Sequence, residues 1–183
     1  MPHLPREPLY QMKSLIISIT LFLSLTSYGQ LDKSLSLIAT GNFDFKTKGL
    51  ALNDAGFGIG LDASFFSKHK FQLLLETSAD RFIGDKDFVT ADEGRENKSP
   101  AIYSIKAGPQ FFISKNIALS ATFGPAWHSI QAVGFTRDYG FKFGATGFLG
   151  DKRRLVTKIF MVYIPKENLN IRYFGLALGY RFF

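Results

Sequence analysis

Apolar residues alternate with small or polar residues over most of the chain. Between positions 57 and 65 each odd residue is apolar and each even residue is Gly, Asp or Ser, and a similar alternation returns between positions 174 and 182. Successive side chains of a β-strand point to opposite faces of the sheet, so a period of two indicates strands with one apolar face. No segment keeps a helical period, and we expect an all-β fold.

Eight segments carry this pattern, and they are long for strands. We predict strands at 34–45, 57–66, 71–80, 102–113, 117–128, 139–149, 155–163 and 171–183. Strands of soluble proteins average about 5 to 6 residues, whereas a tilted strand that crosses a bilayer needs about 9 to 11. Pro109 and Pro125 lie within two of the segments in matching Gly-Pro pairs, so we expect local bulges or shorter fourth and fifth strands.

The connections between the predicted strands alternate in length. The short polar ones are 67–70, 114–116 and 150–154, and the longer ones are 46–56, 81–101, 129–138 and 164–170. An even number of antiparallel strands, with tight turns at one end and wider loops at the other, is typical of an up-and-down outer-membrane β-barrel. In such a barrel the tight turns and both chain ends face the periplasm.

The two faces of the predicted strands differ as a membrane requires. Most aromatic residues fall on the more apolar face near strand ends, where membrane barrels carry aromatic girdles, and we expect no charge on that face. A soluble β-sandwich with one wet face per sheet would also alternate, and a soluble lipocalin-like barrel would reverse the faces. The long strands and the composition of 20 Phe and 7 Tyr favour the membrane barrel.

The opposite face carries eight charged residues, which we place inside the barrel as a structural network. They are Asp44, Asp62, Glu76, Asp80, Lys106, Lys142, Lys158 and Arg181. Four acids and four bases can pair with one another, and an eight-stranded barrel leaves an interior just wide enough for side chains. We therefore expect a filled interior and not an open pore.

The amino-terminal residues have the composition of an export signal. Met12 and Lys13 precede an apolar run over residues 15–25, and the small residues Ser27 and Gly29 stand before Gln30. This order is typical of a cleaved secretory signal, and the run is shorter than the ~20 residues of a spanning helix. We predict a leader over residues 1–29, with the true start at Met12, and a barrel domain over residues 30–183. The chain has no cysteine, and so no disulfide framework or thiolate metal site.

The last predicted strand contains the sequence Gly179-Tyr180-Arg181-Phe182. With this ending, residues 30–183 resemble the small eight-stranded outer-membrane β-barrels of Gram-negative bacteria, such as the OmpX type and the transmembrane domain of OmpA. The resemblance implies a signal that the barrel-assembly machinery reads during insertion. Its residues here are Phe174, Leu176, Leu178, Tyr180, Phe182 and Phe183, of which Phe183 lies one residue beyond the alternating frame.

Few residues suggest catalysis. The candidate is His128, beside Ser129 at the external end of the fifth predicted strand, with Asp138 as a residue that could orient the histidine. An acyl hydrolase needs a nucleophile within reach of its base, but adjacent residues of a strand point to opposite faces. A rim histidine that is hydrogen-bonded to a loop is the alternative, and we predict no catalytic residue, cofactor or metal.

Charged loops and turns suggest two binding hypotheses. Asp85 and Asp87, in the longest loop, could hold Ca²⁺, although a solvated loop explains them better. The net charge of +7 suits an anionic surface, and basic residues of turns and loops could contact lipid phosphates. These residues are Lys46, Lys48, Lys68, Lys70, Lys152, Arg153 and Arg154. Because basic residues are not interleaved with exposed stacking aromatics on one element, we expect no nucleic-acid partner.

The sequence thus predicts a monomeric integral outer-membrane protein that is not an enzyme and meets its surroundings through external loops. Its expected partners are outer-membrane lipid or lipopolysaccharide and, during insertion, the barrel-assembly machinery. Two alternatives stay open. One is an enzyme that modifies outer-leaflet lipid through His128, of the acyl hydrolase or transferase type, and the other is a narrow pore for small solutes.

Overall fold

The chain folds into eight strands that close on themselves. A computed structural model describes residues 34–44, 55–68, 70–83, 100–129, 135–150, 152–165 and 170–183. The strands are β1 (Ser34–Asp44), β2 (Ala55–Lys68), β3 (Phe71–Phe82), β4 (Ala101–Ser114), β5 (Ile117–His128), β6 (Thr136–Leu149), β7 (Leu155–Ile164) and β8 (Ile171–Arg181). Each strand pairs antiparallel with its neighbours in sequence, and β1 pairs with β8. The closed antiparallel barrel predicted from the sequence is confirmed.

The two ends of the barrel differ in their connections. We call the end with short connections, such as the one between β4 and β5, the turn end, and the opposite end the loop end.

The predicted leader, residues 1–29, lies outside the described residues. In the described part of the chain, no helix has the length and apolar character needed to cross a membrane.

β4 and β5 run through Pro109 and Pro125 without a bulge at either proline. The cross-strand partners keep one register on both sides of the prolines, and the irregularity of this strand pair lies beyond them, between Phe112 and Ser114. The predicted bulges or shortened strands are therefore wrong. The glycine before each proline allows the two strands to stay paired there. A Cβ at Gly108 would meet backbone atoms of β5, and a Cβ at Gly124 would meet backbone atoms of β4, so only glycine permits this close approach of the strands.

The outer face of the barrel is apolar. Phe57, Ile59 and Leu176 are exposed by 62%, 64% and 53%, and large apolar side chains on every strand share this exposure. Soluble monomers rarely expose apolar patches of more than a few hundred Å². A continuous band of this kind suits contact with lipid chains, and the closed sheet leaves no unpaired strand edge within it.

Two apolar clusters lie inside the barrel, with a polar layer between them. The cluster at the loop end contains Phe82, Ile102, Ala126, Phe160, Val162, Ile164, Ile171 and Tyr173. The cluster at the turn end contains Ile38, Ala118, Phe148 and Val156. The polar layer includes buried Glu76, Asp80, Lys106, Lys142 and Lys158. In the described part of the chain, side chains occupy the interior at these three levels.

Candidate functional site

All eight predicted interior charges lie on the inner face of the barrel. The register of strand pairing places them there, because residues directly opposite in neighbouring strands share a face. Glu76 on β3 lies opposite Asp62 on β2 and Lys106 on β4. Asp44 lies at the loop end of β1 and Arg181 at the turn end of β8, so these two residues are far along the barrel from the polar layer.

Glu76 is the centre of a buried ion-pair group. Its carboxylate contacts the ammonium groups of Lys158 and Lys142, the latter at 3.0 Å, and accepts a hydrogen bond of 2.5 Å from the Thr122 hydroxyl. Lys158 also contacts Asp62 at 3.1 Å. Burying charges costs hydration free energy, and such groups are tolerated when ion pairs and further hydrogen bonds replace the lost water. We call Asp62, Glu76, Lys142 and Lys158 the Glu76 group.

Asp80 is held by neutral donors. One carboxylate oxygen accepts from the Asn42 amide at 2.7 Å and from the Thr40 hydroxyl at 3.1 Å. The other accepts from the Ser78 hydroxyl at 2.9 Å and from the Tyr173 phenol at 3.2 Å. Four donors on two oxygens satisfy a buried carboxylate without a direct ion pair.

Lys106 is buried differently from the other lysines of the layer. Its side chain is only 1% exposed, yet its Nζ has no hydrogen-bond partner among the described residues. Glu76 and Asp80 attract its charge and Lys142 repels it. The structure therefore brings Asp62, Glu76, Lys142 and Lys158 into direct contact, and it keeps Lys106 at a distance from them.

His128 lies inside the barrel at the loop end of β5. The imidazole is 1% exposed, and its Nε2 is 2.7 Å from a carboxylate oxygen of Asp138. The Ser129 hydroxyl accepts a hydrogen bond of 3.0 Å from the backbone N–H of Ala101. His128 Nδ1 has no partner among the described residues. His128 thus contacts the acid that was predicted to orient it. Among the described residues, no nucleophile is hydrogen-bonded to the other ring nitrogen.

The sequence reading missed the neutral residues that hold the two buried acids. Thr40, Asn42 and Thr122 all occupy inner-face positions, and that alternation is the signal that could have marked them. A glycine is part of the same arrangement. A Cβ at Gly58 would collide with the Asp80 carboxylate and lie 2.6 Å from the Thr40 hydroxyl, so glycine leaves the space that this carboxylate occupies.

Three arginines stand on the outer face, which corrects the expectation that this face carries no charge. Arg81, Arg137 and Arg172 are each one residue from the loop end of their strands. The Arg137 guanidinium lies 5.3 Å from the Tyr139 ring, and that of Arg172 lies 5.2 Å from the Tyr163 ring. A charged side chain is tolerated there because lipid headgroups and water, not acyl chains, surround the end of a membrane barrel. We call these residues the arginine belt.

The residues of the implied assembly signal lie on or beyond the outer face of β8. Phe174 stacks on Phe43 at 5.1 Å between ring centroids, and Leu176, Leu178 and Tyr180 continue the same face. The backbone N–H of Phe182 donates to Leu35 at 2.9 Å, so pairing with β1 continues past the end of β8. Phe183 follows as an exposed aromatic side chain.

Several predicted binding residues lie outside the described residues. They are Asp85, Asp87, Lys46 and Lys48, and the side chain of Lys68. Across the described residues, no three His, Asp or Glu side chains gather in a way that could hold a metal ion.

The fold is similar to that of small outer-membrane barrels. The chain matches Ail of Yersinia pestis, solved with the heparin analogue sucrose octasulfate, at a TM-score of 0.57 and 17% identity, over 84% of this chain and 100% of that one. It matches the amino-terminal barrel of Pseudomonas aeruginosa OprF at a TM-score of 0.54 and 14% identity, over 84% of this chain and 100% of that one. It matches Neisserial surface protein A at a TM-score of 0.51 and 16% identity, over 81% of this chain and 94% of that one. No family model and no curated protein matches the sequence.

These similarities confirm the fold class and the resemblance that the sequence predicted. The chain has the fold of the eight-stranded outer-membrane β-barrels. The predicted localisation agrees with these neighbours, since Ail is described as an outer membrane protein.

Proposed function

We propose that the chain is an integral protein of the bacterial outer membrane that acts without catalysis, as a structural or interaction component with its long loops outside the cell. The observation that carries this proposal is the continuous apolar outer face of a closed barrel whose polar layer is buried and contains the ion pairs of Glu76. Within hydrocarbon, a closed sheet satisfies every backbone group, and charged side chains must lie inside. A single barrel satisfies these conditions without a second copy, which supports a monomer.

The arginine belt supports contact with lipid of the outer leaflet. A guanidinium presents several N–H donors in a planar fork that fits phosphate oxygens, and stacking on an aromatic ring fixes its direction. The Arg137 guanidinium donates a hydrogen bond of 2.8 Å to the Tyr139 hydroxyl and lies 5.9 Å from the centre of the Trp127 ring. Phosphate groups of lipopolysaccharide or phospholipid at this level are the partners that such a belt fits. The barrel-assembly machinery is the proposed partner during insertion, through the outer face of β8.

A test of location and orientation uses the absence of native cysteine. Phe135→Cys places a thiol at the loop end and Lys115→Cys places one in the turn between β4 and β5. In intact cells a membrane-impermeant maleimide should label the first variant, and it should label the second after the outer membrane is opened. Heat-modifiable migration of the purified protein reports the barrel itself. Equal labelling of both variants in intact cells, or recovery of the protein in the soluble fraction, would refute the proposal.

One observation favours an enzyme as a second candidate. His128 and Asp138 form the base-and-orienter pair of an acyl hydrolase, and Nδ1 of the histidine is unpaired among the described residues. His128→Ala in cells, followed by mass spectrometry of lipid A, tests this candidate. The non-catalytic proposal predicts unchanged lipid A, and a lost acyl modification would support the enzyme instead.

A further inference from the structure

A basic cavity of about 510 Å³ opens at the turn end of the barrel, apart from the polar layer. Its lining residues are Lys152, Arg153, Arg154, Arg181, Phe182 and Phe183. Four of the six side chains are cationic, and no side chain among these described lining residues is acidic. Like charges held together repel one another, and an anion bound among them removes that repulsion.

The backbone of the turn between β6 and β7 adds an independent observation. Gly150 and Arg153 both have positive φ angles, of 77° and 51°. The backbone N–H of Arg153 donates a hydrogen bond of 2.9 Å to the carbonyl oxygen of Gly150. Glycine adopts this left-handed conformation freely, whereas a residue with a Cβ does so at a cost. Among the described residues of the turn, glycine occupies one left-handed position and Arg153, which lines the cavity, occupies another. Left-handed residues that carry a Cβ are uncommon, and they concentrate in turns and at functional sites.

The aromatic residues beside the cavity give its level in the membrane. The Arg154 guanidinium donates a hydrogen bond of 3.1 Å to the hydroxyl of Tyr180. The Tyr180 and Phe182 rings pack edge to face, with 5.4 Å between their centroids. Both rings are on the outer face and are 44% and 49% exposed. Aromatic side chains at the ends of barrel strands lie at the boundary between acyl chains and headgroups. The cavity is therefore at the level of the headgroups on the side of the turn end.

We propose that this cavity binds the phosphate of an anionic phospholipid headgroup in the periplasmic leaflet of the outer membrane. The arginines and the lysine bind the phosphate oxygens, and Phe182 and Phe183 contact the acyl chains and glycerol. Arg181 is positioned for this by the Phe148 ring, 5.5 Å from its guanidinium, and by its hydrogen bond of 3.3 Å to the oxygen of Phe183. The proposal rests on the membrane placement given above, because a headgroup reaches the cavity when the turn end meets the inner leaflet.

The test compares two double variants that remove the same charge at the same end of the barrel. Arg153→Gln/Arg154→Gln alters the cavity, and Lys70→Gln/Lys115→Gln alters exposed turn lysines elsewhere on the rim. Native mass spectrometry of the detergent-solubilised protein, titrated with dihexanoyl phosphatidylglycerol and with dihexanoyl phosphatidylcholine, gives the affinities. At about 1 kcal/mol for each basic residue, the cavity variant should bind phosphatidylglycerol about 30-fold more weakly. The lysine variant should bind it nearly as well as the parent protein.

Three further measurements keep the outcome decisive. Equal losses in the two variants would mean general attraction to the basic rim and would overturn the proposal. Competition by inorganic phosphate as strong as by phosphatidylglycerol would assign the cavity to a soluble anion and would also overturn it. Arg153→Gly keeps the left-handed turn, so it should weaken binding while the barrel stays as resistant to urea as the parent. Heat-modifiable migration shows whether each variant still forms the barrel, so weaker binding by a folded variant is a loss of the lipid site. Absence of the heat-dependent shift in the parent protein would refute the membrane placement.

Discussion

Lys158 and Lys106 allow a matched test of the polar layer. Both ammonium groups are buried within the barrel, but Lys158 contacts the carboxylates of Glu76 and Asp62, whereas the Nζ of Lys106 has no hydrogen-bond partner among the described residues. Replacing each lysine with methionine removes the same charge from a side chain of similar length. The two substitutions therefore differ mainly in the bonds that the carboxylates lose.

The structure gives the expected magnitudes. Removing one partner of a buried ion pair costs about 3–5 kcal/mol, because the other charge is left without compensation. For Lys158→Met the loss falls at the lower end of that range, about 3 kcal/mol, since Glu76 keeps Lys142 and Thr122. Among the described residues Lys106→Met breaks no side-chain hydrogen bond. Removing a buried ammonium recovers its hydration cost while losing attraction to nearby acids. We expect a change on the order of 1 kcal/mol or less for this variant.

The assay is equilibrium unfolding in urea of each variant refolded into phosphatidylcholine vesicles. Trp127 is the single tryptophan of the chain and lies on the outer face, so its fluorescence reports transfer from lipid to water. Heat-modifiable migration at each urea concentration gives an independent fraction folded. Equal losses of unfolding free energy for the two variants, or a larger loss for Lys106→Met, would refute the assignment of the Glu76 group as the stabilising centre.

Three other predictions follow from the same contacts. Asp80→Asn replaces a carboxylate that accepts four hydrogen bonds with an amide that can accept fewer, and its unfolding free energy in vesicles should fall by about 3 kcal/mol. Gly58→Ala should lower the urea midpoint because its Cβ meets the Asp80 carboxylate, whereas Gly41→Ala, with nothing within 4 Å, should leave it unchanged. Arg137→Gln should reduce the rise in Tm that added lipopolysaccharide produces, and an undiminished rise would argue against the arginine belt.

Alternation along the chain was sufficient to predict which face each residue occupies. A strand has a period of two, so once the face of one residue is assigned, the faces of all remaining residues in that strand follow. β5 begins and ends at the predicted residues, and Glu76 and Lys106 face each other inside the barrel as inner-face positions. The predicted strand 71–80 ends two residues before β3 does, because Arg81 is charged and lies on the outer face. A charge there is compatible with a strand when the strand end lies at headgroup level, and Phe82 then returns to the interior.

Contacts across the lumen could not be predicted, because they depend on how the strands are staggered around the barrel. Asp80 bonds to Asn42, 38 positions away, and Lys158 bonds to Asp62, 96 positions away. Alternation assigns all four residues to the inner face, but the tilt and shear of the strands decide which of them meet. The same holds for His128, whose orienting acid belongs to the next strand and lies diagonally from it in the pairing.

The apolar clusters inside the barrel explain why a passage through the lumen would be costly. The Phe160 ring of the loop-end cluster lies 4.4 Å from the Lys142 ammonium, so that cluster is attached to the Glu76 group by a cation–π contact. At the turn end, Phe148 is attached to Arg181 in the same way. A solute would have to separate both rings from their cations and then break the buried ion pairs between them. The surfaces proposed for recognition are therefore the arginine belt, the basic cavity and the outer face, and not the lumen.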